Sequence, residues 1–502
     1  MSYKIYPVTQ TELKFEGYEV KINGEKVDTD TARVSKVALN RRWPGHQRTL
    51  DQTELCSFVS LETGESLQFE ITPKESFEKV DIRPKSLGIE PEITEDGRIL
   101  FTLPKAAYFT VEPYGRHNAL HIFADSPKVY DIDVNDENVI YFGKGEHHPE
   151  CIDLKTNQTL FIDEGTVVYT RVTATDADNI KILGRGILDN SLNKEEILFE
   201  ASEEDNEIQV DNAVRTHAVH IEYCTNVEIE GITIRDSLAY NIKPVACCNV
   251  DIRNVKLIGN WRYNSDGIDM HNCVDLSISH CFLRTFDDSI CVKGFDCFYA
   301  DDVEEAVRKM MYRNGKSYEV CKNVHVSDCV IWNDWGKCLE IGAETRAEEI
   351  FDITFENCDV IHVTGSVLDC ANVDYATVHH VKYANINIEY DDIIPEMQYQ
   401  YKDSQVYDFT NTDYSPNVIA VQVEYHMEYS AGNAKRGKNH HIEFDNIHIY
   451  GRQMPRLLFK GYDQEHTTSD IKVTNVFVNG VPLGSVPYEV ETNDYCSNIE
   501  IE

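Results

Sequence analysis

Positive charge is scarce in this 502-residue sequence: 47 lysines and arginines stand against 86 aspartates and glutamates, a formal net charge of −39. Such a surplus repels polyphosphate, which argues against a nucleic-acid partner, and it repels polyuronates for the same reason. Long apolar runs are missing too. No stretch of about eighteen apolar residues occurs, so no membrane span and no membrane partner are expected. The first twenty residues lack the basic segment and apolar run of an export signal. Cysteines number fifteen, but the count is odd, the chain is too large to need staples, and no Cys-x-x-Cys pair lies near a histidine cluster. A reduced, cytoplasmic protein is the expectation. Disorder is excluded by what is present, since 42% apolar and 10% aromatic residues suffice to build a core.

Residues 1–127 read as short alternating strands, such as Leu67-Gln-Phe-Glu-Ile and Ile99-Leu-Phe-Thr-Leu, separated by turn signals such as Glu95-Asp-Gly. This spacing predicts a β-sandwich, closed at a Ser126-Pro break. From 128 to 502 a loose repeat takes over: Asp178-Asn-Ile-Lys-Ile, Thr225-Asn-Val-Glu-Ile, Cys248-Asn-Val-Asp-Ile, Cys273-Val-Asp-Leu-Ser-Ile, Lys322-Asn-Val-His-Val, His379-His-Val-Lys-Tyr, Asn439-His-His-Ile-Glu-Phe and Ser469-Asp-Ile-Lys-Val. Each unit is a polar turn followed by alternating apolar residues, and Val227, Val250 and Val274 lie about one coil apart. Stacked coils that share one apolar interior give this period, so the second domain is predicted to be a right-handed parallel β-helix. Cys224, Cys248 and Cys273 should stack inside it as small buried residues. Two segments interrupt the repeat. Residues 296–320 carry Val303, Ala306, Val307, Met310 and Met311 at helical spacing and end at Asn314-Gly, which predicts a helical insertion; residues 391–438 form a second, tyrosine-rich insertion. Solenoids often assemble through exposed faces, so a homo-oligomer is among the expectations.

Chemistry concentrates in Asn260-Trp-Arg-Tyr-Asn-Ser-Asp-Gly-Ile-Asp-Met and Phe286-Asp-Asp-Ser-Ile-Cys-Val-Lys-Gly. Asp266 and Asp287 are about one coil apart, so with Asp288 they should crowd on one face of neighbouring coils. Carboxylates forced together repel, and at least one should keep its proton to higher pH, giving an acid and a base side by side. A solvated acidic patch or a calcium site fits the spacing equally.

These residues, with Val330-Ile-Trp-Asn-Asp-Trp-Gly-Lys-Cys-Leu-Glu-Ile-Gly one coil further, resemble the active-site region of the glycoside hydrolase clan that joins family 28 (polygalacturonases) and family 49 (dextranases and isopullulanases). A sandwich ahead of the β-helix, with Ile140-Tyr-Phe-Gly-Lys-Gly-Glu-His-His-Pro at its start, is more similar to family 49. The resemblance implies an inverting hydrolase in which Asp287 is the general acid and Asp266 and Asp288 activate water, with no cofactor and no metal. Departures bear on the substrate. Lys337 stands where polygalacturonases carry the histidine of Gly-His-Gly, and Val367-Leu-Asp369 falls where their basic Arg-Ile-Lys lies. An acid there would repel a uronate. Near the trio, Trp261 and Trp335 are candidates for stacking on sugar rings, while Arg262, Lys293, Lys337 and Glu340 are candidates for hydrogen bonds to the substrate or for charge compensation.

The expected function is therefore inverting hydrolysis of a neutral, α-linked oligosaccharide or polysaccharide, with exo action suggested by the insertion that follows the Asp287-Asp288 strand. A polygalacturonase-like hydrolase, a β-helix lyase or epimerase, and a catalytically silent carbohydrate-binding solenoid are the alternatives.

Overall fold

The computed structural model describes residues 3–9, 11–36, 41–42, 50–191, 216–296, 302–392, 394, 398–399, 415–426, 430 and 434–502. Much of the expected insertion at 391–438, including 400–414, lies outside them. Among the described residues no helix is long and apolar enough to cross a membrane.

The N-terminal part is a sandwich of a six-stranded and a five-stranded sheet. Strict alternation sets its inner faces: Tyr18–Ile22 and Leu67–Pro73 bury every second side chain, and Leu67–Pro73 pairs antiparallel with Ile99–Leu103, Phe69 opposite Phe101. Phe69 and Phe101 stack at 5.0 Å between ring centroids and Phe109 meets both edge-on, filling the space between the sheets.

Its last strand is Leu120–Asp125, and the first strand of the second part is Val139–Phe142. From Val139 onward the chain is a β-helix. Coils up to the one ending in Asp359–His362 contribute two strands each to a 21-stranded sheet, later ones a single longer strand such as Thr377–Glu389; the third side of the coils forms an 11-stranded sheet, and successive coils pair in parallel. One continuous apolar core runs inside it from Ile152 to Leu483. Asparagine or aspartate recurs in the left-handed region at the coil corners, including Asn179, Asn226, Asn249 and Asn323, where short polar side chains tolerate a positive φ. That is the structural meaning of the polar turns in the repeat.

Register corrects two expectations. Val250 pairs with Leu276, not Val274, because the next coil is longer. The interior cysteine column is Cys224, Cys247 and Cys273; Cys248 starts its strand half-exposed, so the neighbour one residue earlier points inward. Within the expected insertion a helix forms over the apolar positions whose spacing predicts it, Val303 to Met311. Helix α1 (Val303–Met311) is capped by Asp302, whose carboxylate accepts the Glu305 N–H at 3.0 Å, and Asn314-Gly315 is the turn of a small hairpin beyond it, both residues having positive φ. Val307 and Met311 seat the helix against Tyr223, Val245 and Phe295.

The sandwich lies on the β-helix. Phe58, Tyr108 and Phe123 pack on Phe282, Val330 and Trp332, and buried ion pairs cross the junction: Arg83 to Glu389 at 2.8 Å, His362 to Glu112 at 3.0 Å, Lys256 to Asp125 at 3.1 Å. Phe282→Ala would open a cavity at this junction and cost about 3–5 kcal/mol. A clear fall in the thermal midpoint is expected; an unchanged midpoint would mean that the two parts are not held by this contact.

Candidate active site

Three neighbouring strands of the 11-stranded sheet, Ile268–His271, Ile290–Lys293 and Leu339–Ala343, pair in parallel. The turn entering each strand carries a group from the expected set: Asp266 before the first, Asp287 and Asp288 before the second, Lys337 before the third. Backbone hydrogen bonds tie these turns together, Gly267 N–H to the Asp288 carbonyl and Ser289 N–H to the Lys337 carbonyl, both at 2.8 Å. Glycine is required at two of these positions. A Cβ on Gly267 would sit 2.2 Å from the Ser289 carbonyl oxygen, and one on Gly336 would sit 2.4 Å from the Asp288 nitrogen. Any larger residue would wedge the coils apart.

Asp266, Asp287 and Asp288 do converge, each offering a carboxylate oxygen within 4.8 Å of the others. Asp266 is 2% exposed, Asp287 8%, and Asp288 is half-buried and the most open of the three. Burial raises all three carboxyls well above the ordinary carboxylate range. Asp269 and then Asp287 push Asp266 further, Asp288 pushes Asp287, and Glu340 pushes Asp288. Opposing this, Asp287 Oδ2 accepts the Asn264 N–H at 2.9 Å and Asp288 Oδ1 accepts the Lys337 N–H at 2.8 Å.

Two ammonium groups anchor the cluster, Lys293 buried and Lys337 half-buried. Lys293 Nζ lies 2.7 Å from Asp269, 3.3 Å from Glu344 and 3.7 Å from Asp266. Lys337 Nζ lies 2.5 Å from Glu340 and 2.9 Å from Asp369. Burial favours their neutral forms, yet the surrounding carboxylates, Asp269 and Glu344 for Lys293, Asp369 and Glu340 for Lys337, outweigh it and hold both well above the usual lysine range. Glu340 is fully buried beneath Lys337 and does not face the cleft as expected.

The two tryptophans differ. Trp335 is half-buried beside Gly336, stacked on Phe286 at 5.6 Å with Tyr263 against it at 4.9 Å, so its ring stands at the rim of the site. Trp261 is 6% exposed. Its indole N–H donates to Asp236 Oδ1 at 3.0 Å and the Arg262 guanidinium lies 4.2 Å over its ring, while Arg262 also pairs with Asp236. Trp261 and Arg262 therefore pack the wall of the site, and the open stacking platform expected at Trp261 is not formed. Asp269, Glu344 and Tyr240, whose ring centroid lies 5.3 Å from Lys293 Nζ, are site residues that the sequence reading does not include. Asp269 follows from the alternation of its strand, because Ile268 and Met270 point inward and leave Asp269 and His271 outward.

The sequence model of "Glycosyl hydrolases family 28" matches residues 147–428, which include this whole cluster. The chain belongs to that family. A "Probable polygalacturonase" of Vitis vinifera is 29% identical over 84 residues, 16% of this chain, and the match spans about a sixth of the grape protein (17%). Among solved structures, Dex49A from Penicillium minioluteum superposes with TM-score 0.52 at 12% identity, covering 95% of this chain and 92% of its own, a likeness of fold. A family 28 exopolygalacturonase of Yersinia enterocolitica gives TM-score 0.44 at 13% identity, covering 99% and 96%. Family 28, one of the two families that the sequence resembles, is thereby shown, and the likeness to Dex49A bears out the β-helix fold.

Because the folded-state carboxyl pKa values lie above their unfolded values, the stability these groups lend is complete below the unfolded values and is lost as pH rises through the folded ones. Lys293→Met removes the cation that opposes this loss. The variant should be less stable by about 3–5 kcal/mol at neutral and alkaline pH, with the deficit shrinking toward pH 4 as the carboxyls take up protons. Thermal midpoints of both proteins across that interval check it; a deficit independent of pH would count against the charge assignment.

Proposed function

We propose that this family 28 member hydrolyses an α-glycosidic bond in a neutral glycan with inversion at the anomeric carbon. Asp287, protonated, gives its proton to the leaving glycosidic oxygen; Asp266 and Asp288, ionised, take a proton from the attacking water as its oxygen bonds to the anomeric carbon. The proton stored on Asp287 is supported by its burial and by Asp288 beside it. Trp335 offers an aromatic face at the rim for a sugar ring.

One observation carries the substrate class. The lysine at the position of the family's histidine, Lys337, is committed to Glu340 and Asp369, and Lys293 to Asp269, Glu344 and Asp266. Neither cation is free to clamp a sugar carboxylate, and Asp369 adds negative charge where a uronate binder needs positive charge. The second reading, a polygalacturonase-like hydrolase, is favoured by family membership and by the name of the grape relative. A reducing-sugar screen over neutral α-glucans and polygalacturonate separates the two, with Asp287→Asn protein as the blank. Release from an α-glucan supports the proposal; release from polygalacturonate alone would overturn it.

Asp287→Asn should lower turnover by about 10²–10⁴ while leaving binding intact, and an aryl glycoside with a good leaving group should suffer less than a natural glycan. Equal losses on both substrates would remove Asp287 from the acid role.

Stereochemistry is the sharper test. Inverting pairs usually stand roughly 6.5–9.5 Å apart and retaining pairs about 5–5.5 Å, whereas the nearest oxygens here lie within 4.8 Å. Inversion thus rests on the resemblance and not on the spacing. NMR of the first turnovers should show the inverted anomer, and a trapped glycosyl-enzyme would refute it. Helix α1 follows the strand entered through Asp287-Asp288, and the proposal of exo action rests on that placement; an early ladder of intermediate sizes from a polymer would contradict this.

A further inference from the structure

The outer face of the 11-stranded sheet continues past the carboxylate trio toward the N-terminal coils. Its strands there, Val219–Glu222, Ile242–Val245 and Ile268–His271, pair in parallel, with His220 opposite Lys243 and Ile242 opposite Ile268. Alternation turns Val219, Ile221, Ile242 and Ile268 into the core, so His220, Glu222 and Lys243 face outward and Lys243 lies beside Asp269. Tyr240 joins this surface to the trio. Its ring centroid is 5.1 Å from Lys243 Nζ and 5.3 Å from Lys293 Nζ, the ammonium that also reaches Asp266 at 3.7 Å.

Two pairs of opposite polarity occupy neighbouring coils. Lys243 Nζ donates to Asp296 Oδ2 at 2.8 Å, and His220 Nε2 lies 3.2 Å from Glu222 Oε1. Lys243 is the buried member of its pair, whereas 24% of the Asp296 side chain, 31% of His220 and 30% of Glu222 remain open. His217 is half-buried, its ring 4.9 Å from that of Tyr240 and 5.0 Å from that of His220. Its Nδ1 has no hydrogen-bond partner among the described residues. The same holds for Nε2 of His271, which is 1% exposed and whose Nδ1 donates to the Gly294 carbonyl at 2.8 Å. Lys243 and Asp296 are charged neighbours that both imidazoles share. Buried polar atoms are ordinarily paired, so two unpaired ring nitrogens around one ion pair call for hydroxyl groups from a ligand.

We propose that these groups form a sugar-binding subsite next to the trio, which holds by its hydroxyls a neutral monosaccharide unit adjacent to the bond that is cut. The inference rests on the neutral-glycan reading above. A sugar hydroxyl donates and accepts at once, whereas an ammonium only donates and a carboxylate only accepts. Lys243 with Asp296 therefore offers a donor and an acceptor one hydrogen bond apart, a pattern that two adjacent hydroxyls of a ring complete. His220 with Glu222 repeats it one coil earlier. Asp296 and Glu222, on the open side, would repel a sugar carboxylate, and the charge of Lys243 is already met by Asp296. The half-buried rings of Tyr240 and His217 supply a flat apolar surface for the carbon face of the sugar.

The test is calorimetric titration of full-length Asp287→Asn protein, slowed in turnover, with maltotetraose and with isomaltotetraose. At least one should bind. Adding Lys243→Met together with Asp296→Asn removes both charges of the pair and leaves neither unpaired, and it should lower that affinity at least about tenfold. If this protein fails to fold, His217→Ala in the Asp287→Asn background provides the same comparison. Unchanged affinity in a folded variant would overturn the subsite and leave the hydrolase reading standing; no binding of either tetrasaccharide at about 1 mM would overturn both.

Discussion

Parallel stacking of coils is the constraint on which the rest of the structure depends. Neighbouring strands in a sheet sit about 4.8 Å apart, and that spacing is inherited by whatever side chains occupy equivalent corners of successive coils. Asp266 and the Asp287–Asp288 pair are brought within 4.8 Å by this alone. The close approach in turn demands glycine at Gly267 and Gly336, where a side chain would strike the neighbouring backbone. The fold thus supplies a charge conflict as a matter of geometry, and the sequence exploits it.

How that conflict is contained explains the chemistry. Buried carboxyls, the buried Lys293 and the half-buried Lys337 form one network in which Lys293 holds Asp269, Glu344 and Asp266, while Lys337 holds Glu340 and Asp369. Among the described residues no cation pairs directly with Asp287 or Asp288, which accept backbone N–H groups from Asn264 and Lys337. Partial compensation of this kind leaves all three carboxyls raised above their ordinary range, the condition on which the proposed acid role of Asp287 rests. The same commitments are the basis on which a neutral substrate is proposed.

The solenoid and the carboxylate trio were legible because they rest on short-range pattern: a polar corner, alternation, and a coil length that can be counted. Details that depend on one-residue phase or on a partner in another coil were not. Cys247 points inward where Cys248 was expected, since adjacent cysteines look alike until register is known. Trp261 stands in the right segment, but its N–H is taken by Asp236 of the preceding coil, a partner that spacing does not reveal. Glu340 lies on the outward side of its strand and is still buried, because Lys337 covers it. Asp269 was visible in the quoted motif and needed only the alternation rule to be placed.

The central claim is that the crowded trio stores a proton at neutral pH. Infrared difference spectroscopy between the wild type and Asp287→Asn protein reads this directly, because a carboxylic acid and a carboxylate absorb at separate frequencies. At neutral pH the wild type should show a protonated carboxyl band that the variant lacks; a spectrum in which Asp287 contributes only as an ionised carboxylate would contradict the account.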